Sequence, residues 1–332
     1  MRVRSTGWAI LGLLAGGLAV LSGGGPIALA VPATVRAGGG CGSEAPEVLA
    51  KAAGGVAERI YRDELSGSEV QEDSSQVQEN AALLSAVENG NRAAVEEAVE
   101  KLVYSHTHIV RLRVSQGSTL LADVGGPYIL APVSGALRAH GRTIGHYEFS
   151  VQDDLGYVKL ETRFIGAPLV LRTGSQRVPV EGQMTLPSPQ IPAHGPVHFK
   201  GVAYQAFSFD AEAYPSGPLR ISLLVPLPGG IADISCAKVV AGEAGLVAQR
   251  ISRRFPLGPS NFETYAKLTQ TLTGALAFVK DGDRQLAGSA PHGPARLPDS
   301  GTARLRGVRY EVDSFQAPSS VGAVRVYVLT KA

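Results

Sequence analysis

Lys200–Ala211 reads KGVAYQAFSFDA, and the pattern returns at Arg306–Ala317 as RGVRYEVDSFQA, with Gly, Val, Tyr, Ser, Phe and Ala in register. The match continues on both sides. Upstream, LVLRTGSQRV from Leu169 pairs with AFVKDGDRQL from Ala277, each an apolar run, a basic residue, a Gly-containing turn and a second short run. That order is the grammar of a β-hairpin. Downstream, LRISLLV from Leu219 matches VRVYVL from Val324. β-Branched and aromatic enrichment makes these runs strands, so each copy is a strand meander.

A helix leads each copy. EVLAKAAGGVAERIYRDE follows Cys41 and GEAGLVAQRISRRF follows Cys236, with Val56–Ile60 aligned on Val247–Ile251. The two cysteines stand just before their helices, and a disulfide between Cys41 and Cys236 is the simplest use of the pair in an oxidising compartment. Lipidation of Cys41 is the weaker alternative, because Gly38 stands where a Leu is usual.

The compartment is read from the N-terminus. Met1-Arg2-Val3-Arg4 precedes the apolar run WAILGLLAGGLAVLSGGGPIALA, which has the form of an export signal with cleavage after Ala30. An uncleaved anchor is the alternative. No later run reaches the length of a second span. The chain is therefore expected to be secreted or extracytoplasmic, anchored or free. Its 332 residues, 44% hydrophobic and 18% charged with a net charge of +2, describe an ordinary globular protein and give no reason to expect a nucleic-acid partner.

Between the first helix and its meander lies a long extra segment that the second copy replaces with PSNFETYAKLTQTL. Leu65–Asn80 is polar and acid-rich and reads as an exposed loop or frayed helix end. From the N-cap Asn91, NRAAVEEAVEKLVYSH puts Val95, Val99, Leu102 and Val103 on one helical face, with Asn89-Gly90 stopping the preceding helix. The period then changes to two. HIVRLRVSQG sets Val110, Leu112 and Val114 against Arg111, Arg113 and Ser115, and Tyr147, Phe149 and Val151 alternate with His146, Glu148 and Ser150. Helices followed by antiparallel strands give an α+β fold.

The succession HIVRLRV, a Gly turn, LLADVGG, APVSGALR, GRTIGHYEFSV and DDLGYVKL resembles an extracytoplasmic Cache or PDC-type sensor module, itself similar to PAS domains, of the kind found in high-GC bacteria. RGVRYEVDSF and VRVYVLT are similar to the last two strands of such modules, so the resemblance covers most of the mature chain. It implies long N-terminal helices laid on antiparallel sheets and a small ligand held over a concave sheet face, of the amino-acid, amine or small-carboxylate class. It also implies a separate membrane-bound signalling partner, since no membrane-proximal helix or output domain is expected in this chain. The expected organisation is a signal segment at 1–30, helices and sensor module at 31–165, a first strand unit at 166–230, and a second helix-plus-strand unit at 231–332.

Candidate ligand-binding residues are Arg111, Arg113, Asp123, Tyr128, His146, Ser150, Asp153 and Tyr157. The arginines of the first sheet strand either reach solvent or clamp a carboxylate. Asp153 and Asp154 stand where a strand meets a helix, so a helix cap, a ligand contact and paired catalysis all remain open. His106-x-His108 and the loop pair His194 and His198 fall short of the three or four convergent ligands a metal needs. There is no GxSxG, Walker or HExxH motif, and neither an enzyme nor a cofactor is expected. The alternative to a sensor is an envelope scaffold that keeps the fold without a pocket.

Overall fold

A computed structural model describes residues 40–105, 108–173, 176–177, 191–214, 217–254 and 256–332, the side chains of residues 176, 177 and 214 excepted. The expected signal segment at 1–30 and His106 lie outside the described residues.

A short 3-10 turn (Gly42–Glu44) opens into α1 (Ala45–Ser66), α2 (Ser68–Glu79), α3 (Ala81–Glu88) and α4 (Arg92–Tyr104). Strands β1 (Arg111–Gln116), β2 (Thr119–Gly125), β3 (Ile129–Leu130), β4 (Val133–Ala139), β5 (Arg142–Ser150) and β6 (Gln152–Asp153) follow, then α5 (Asp154–Phe164). Next come β7 (Leu169–Thr173), β8 (Gln176–Arg177), β9 (His194–Phe199), β10 (Val202–Tyr214) and β11 (Gly217–Pro226). The last part is α6 (Cys236–Arg254), α7 (Phe262–Thr273), β12 (Leu276–Asp281), β13 (Arg284–Gly288), β14 (Ser300–Leu305), β15 (Val308–Ala317) and β16 (Val324–Lys331). The chain is α+β, with helices laid on three antiparallel sheets.

The first sheet has the order β2-β1-β5-β4, the middle sheet β6-β3-β10-β11-β7-β8 with β9 on β10, and the third β13-β12-β16-β15-β14. The recurring sequences take matching places. β10 and β11 lie in the middle sheet as β15 and β16 lie in the third, and the flanking orders β8-β7 and β13-β12 agree. Two-residue turns join β4 to β5, β9 to β10 and β14 to β15, with registers closing on Ala139↔Arg142, Phe199↔Val202 and Leu305↔Val308. In each the first turn residue, His140, Lys200 or Arg306, has φ near +50°, and a glycine follows. Two consecutive positive φ angles are what a type I′ turn requires.

Two expectations change here. Leu65–Asn80 is mostly helix, because Val70, Asp73 and Val77 share one buried face of α2. His194 and His198 stand on strand β9 rather than in a loop, both exposed. Among the described residues no cluster of three or more metal-binding side chains occurs.

There are two main cores. One lies between the first sheet and α2–α4, where Leu112, Val114, Leu137 and Phe149 meet Val87, Val95 and Val99. The other joins α1, α5, α6, α7 and the inner faces of the middle and third sheets. α1 lies at its centre, presenting Ala50, Ala53, Gly54 and Ala57 so that other elements approach closely. Cys41 and Cys236 form a disulfide with Cα atoms 4.7 Å apart, fixing the start of α1 to the start of α6. Closing a loop of this length stabilises by about 5 kcal/mol in the chain-entropy account.

Gly54 and Gly55 differ in what surrounds them. A Cβ on Gly54 would lie 2.1 Å from the Phe207 ring of β10, whereas on Gly55 it would meet only the tip of Arg59 at 3.6 Å. Gly54→Ala is therefore expected to lower stability by about 1–3 kcal/mol through overpacking. Gly55→Ala should raise it by up to about 1 kcal/mol through helix propensity. Urea unfolding midpoints of the two variants measure the difference.

Candidate functional site

Among the described residues, the first sheet has one face covered by helices and one face that no element covers. Period-two alternation sends Leu112, Val114, Tyr147 and Phe149 toward α2–α4, where all four are buried. It sends Arg111, Arg113, Ser115, Ser134, Ala136, His146 and Glu148 the other way. On that side lies a groove of about 480 Å³ lined by strand residues alone, with Arg113, Glu148 and His146 around small side chains at Ser115, Ser134 and Ala136.

Charge on this face is organised around β1. Arg111 makes a bidentate pair with Asp123, Nε to Oδ1 at 2.7 Å and Nη2 to Oδ2 at 2.9 Å. Its Nη1 donates to the carbonyls of Gly126 and Pro127, each at 2.9 Å. Arg111 therefore holds the β2–β3 turn as well as its carboxylate partner. Arg113 lies between two carboxylates, with Nε 3.4 Å from Asp123 and Nη1 3.0 Å from Glu148. The registers Arg113↔Asp123 and Arg113↔Glu148 put all three on neighbouring strands at one level. Arg113 and Glu148 keep 29% and 30% of their side-chain surface in solvent.

Four of the eight candidate residues, Arg111, Arg113, Asp123 and His146, thus come together on the open face. The other four do not. Ser150 follows the same alternation but is fully buried, and its hydroxyl donates to the carbonyls of Leu130 and Gln152. Tyr128 is partly buried against the main core. Asp153 is the N-cap of α5, its side chain accepting from the Gly156 amide. Tyr157 has no exposed surface and its hydroxyl donates to Ala57 O of α1 at 3.3 Å, inside the main core. Sequence reading passed over Glu148, although it alternates with Tyr147 and Phe149. Opposite charge across from Arg113 was the signal available.

No family model matches the chain, and no curated protein does. Among solved structures it is similar to the ligand-binding domain of the Pseudomonas fluorescens chemoreceptor CtaA. In the complex with L-alanine the TM-score is 0.34 at 15% identity over 56% of this chain and 98% of that one. In the complex with L-isoleucine the TM-score is 0.33 at 12% identity over 55% and 92%. The Vibrio cholerae LuxQ periplasmic domain gives a TM-score of 0.15 at 7% identity over 87% and 97%. At these scores the function of the chain has to be read from its own residues.

Removing Tyr157 and removing His146 should separate core from face. Tyr157→Ala is expected to cost about 3–5 kcal/mol, as for other buried aromatic truncations. His146→Ala should stay within about 0.5 kcal/mol of the parent, as for exposed sites generally. Chemical denaturation followed by circular dichroism gives both values.

Proposed function

We propose that the chain is a non-enzymatic, extracytoplasmic sensor-type protein that holds a small zwitterion on the open face of its first sheet. The observation that carries this reading is Arg113 set between Asp123 and Glu148 above a floor of small side chains. A guanidinium accepts a carboxylate in a two-pronged geometry, and a flanking carboxylate suits an ammonium group. An amino acid carries both groups on adjacent atoms. Part-exposed ion pairs contribute little stability, so a ligand can exchange with them at small cost. The groove's volume lies in the range of small-molecule sites. A separate membrane-bound partner carries the signal onward in this reading.

A second reading, an envelope protein docking on the same face, is favoured by one feature. Among the described residues the groove is lined by strand residues alone.

Titration calorimetry with L-amino acids, and with the matching amines and carboxylic acids, tests the first reading. Saturable binding of the amino acids is expected, with at least about a tenfold loss in Arg113→Ala or Glu148→Gln, the scale of one charged hydrogen bond. Binding unchanged in both variants, or no binding by any member of the panel to a folded sample, would remove it.

A further inference from the structure

Five carboxyl groups gather where α1 gives way to α2, Asp63, Glu64 and Glu69 half-buried and Asp73 and Glu161 buried. The break falls at Gly67, whose amide donates to Asp63 O at 2.6 Å and which has room for no Cβ, since one would stand 2.7 Å from that same oxygen. Beside it is a cavity of about 40 Å³, lined by Asp63 and Glu64 of α1 and Glu69 of α2, with Leu160 and Phe164 of α5 and Leu272 of α7 as apolar walls. Asp73 follows one turn after Glu69 and is 1% exposed. Glu161 of α5, beside Tyr157, is wholly buried.

Their compensation is weak and comes from His108, which faces Glu69 and Asp73, and from the Tyr157 hydroxyl beside Glu161. Among the described residues, Glu69 Oε1, Asp73 Oδ2 and both Glu161 oxygens have no hydrogen-bond partner. Among the described residues no lysine or arginine is ion-paired with any of the five carboxyls. The titratable groups that face them are Tyr61 of α1, Glu72 of α2, Tyr157 of α5 and His108 ahead of β1. His108 Nε2 is 3.9 Å from Glu69 Oε1, and α7 and the end of β5 bring only apolar side chains to the cavity. Arg59, on α1 one turn before Asp63, is committed to the carbonyls of Gly55 and Leu272.

We propose that this junction is a pH-responsive hinge. With its carboxyls protonated, α2 stays seated at the end of α1; with them ionised, mutual repulsion lifts α2 away and loosens the helical layer behind the first sheet. α2 belongs to that layer through Val70 and Val77, so the hinge links the main core to the first-sheet module. It stands whether or not the open face binds an amino acid.

The direction follows from burial. Burial is the largest influence on each group and pushes Glu64 and Glu161 up to about 8, Glu69 to about 7 and Asp73 to about 6; His108 opposes it at Glu69 and Asp73 and Tyr157 at Glu161, while neighbouring carboxylates add to it. In the unfolded chain such groups titrate near about 4. The folded chain therefore holds more protons between about pH 4 and 8, and stability is full below that window and falls as pH rises through it.

Hydrogen exchange of the full chain without added ligand, corrected for intrinsic rates, tests the hinge. Between pH 6 and 8.5 the amides of α2 should lose at least about tenfold in protection relative to those of α6, as a local opening does. In Glu64→Gln/Glu69→Gln the change should shrink to less than about threefold. Should the double variant fold poorly, Glu69→Gln alone should still at least halve the logarithmic change. Parallel pH dependence of α2 and α6, or an α2 response that survives in Glu69→Gln, would overturn the proposal.

Discussion

Close packing of α1 is the constraint from which the rest of the molecule follows. Its inner face is made of alanines and a glycine, so Phe207 of β10 can lie directly on the helix backbone at Gly54. Larger side chains would push the middle sheet away and open the core that α1 shares with α5, α6 and α7. The disulfide fixes the N-terminal end of this helix to α6, and Arg59 reaches across to the last turn of α7. At its other end α1 meets the carboxyl cluster and then α2, so this anchored helix leads straight into a weakly compensated junction.

The first sheet stands on a different balance. One face is sealed by apolar contacts with α2–α4, and the other carries the ion pairs of Arg111 and Arg113 with Asp123 and Glu148. Arg111 is committed to Asp123 and to the β2–β3 turn, which fixes the shape of the sheet edge. Arg113, one alternation along, shares Asp123 and reaches Glu148 with part of its surface still in water. The first arginine organises the face and the second is presented by it, a division of labour between two residues that read identically in sequence.

Much of this was legible from residue patterns. Period-two alternation separated Leu112 and Val114 from Arg111 and Arg113, the recurrence of KGVAYQAFSFDA marked corresponding strands in two sheets, and Asn91 read as a helix cap, with a cap one of three readings open at Asp153. α2 was hidden because its buried face rests on Val70, Val77 and a buried Asp73, too few apolar residues to show a helical period in an acid-rich stretch. β9 was hidden by Gly195 and Pro196, which read as a loop but are accommodated beside β10. The interior position of Ser150 was not legible for a topological reason. β3 and β6 leave the first sheet and pair with each other at the edge of the middle one, so the last residues of β5 are covered by backbone that alternation knows nothing about. Tyr157 was misjudged because helical periodicity marks a buried face without saying whether that face lines a pocket or a core.

The central claim is that Arg113 receives the ligand, and its guanidinium can be watched directly. Side-chain Nε–H resonances of arginine-labelled protein, titrated with L-amino acids, should show saturable movement of the Arg113 signal. The Arg59 signal, half-buried against α7, should stay fixed. Binding detected by calorimetry while the Arg113 signal does not move would contradict the account and place the ligand elsewhere on the molecule.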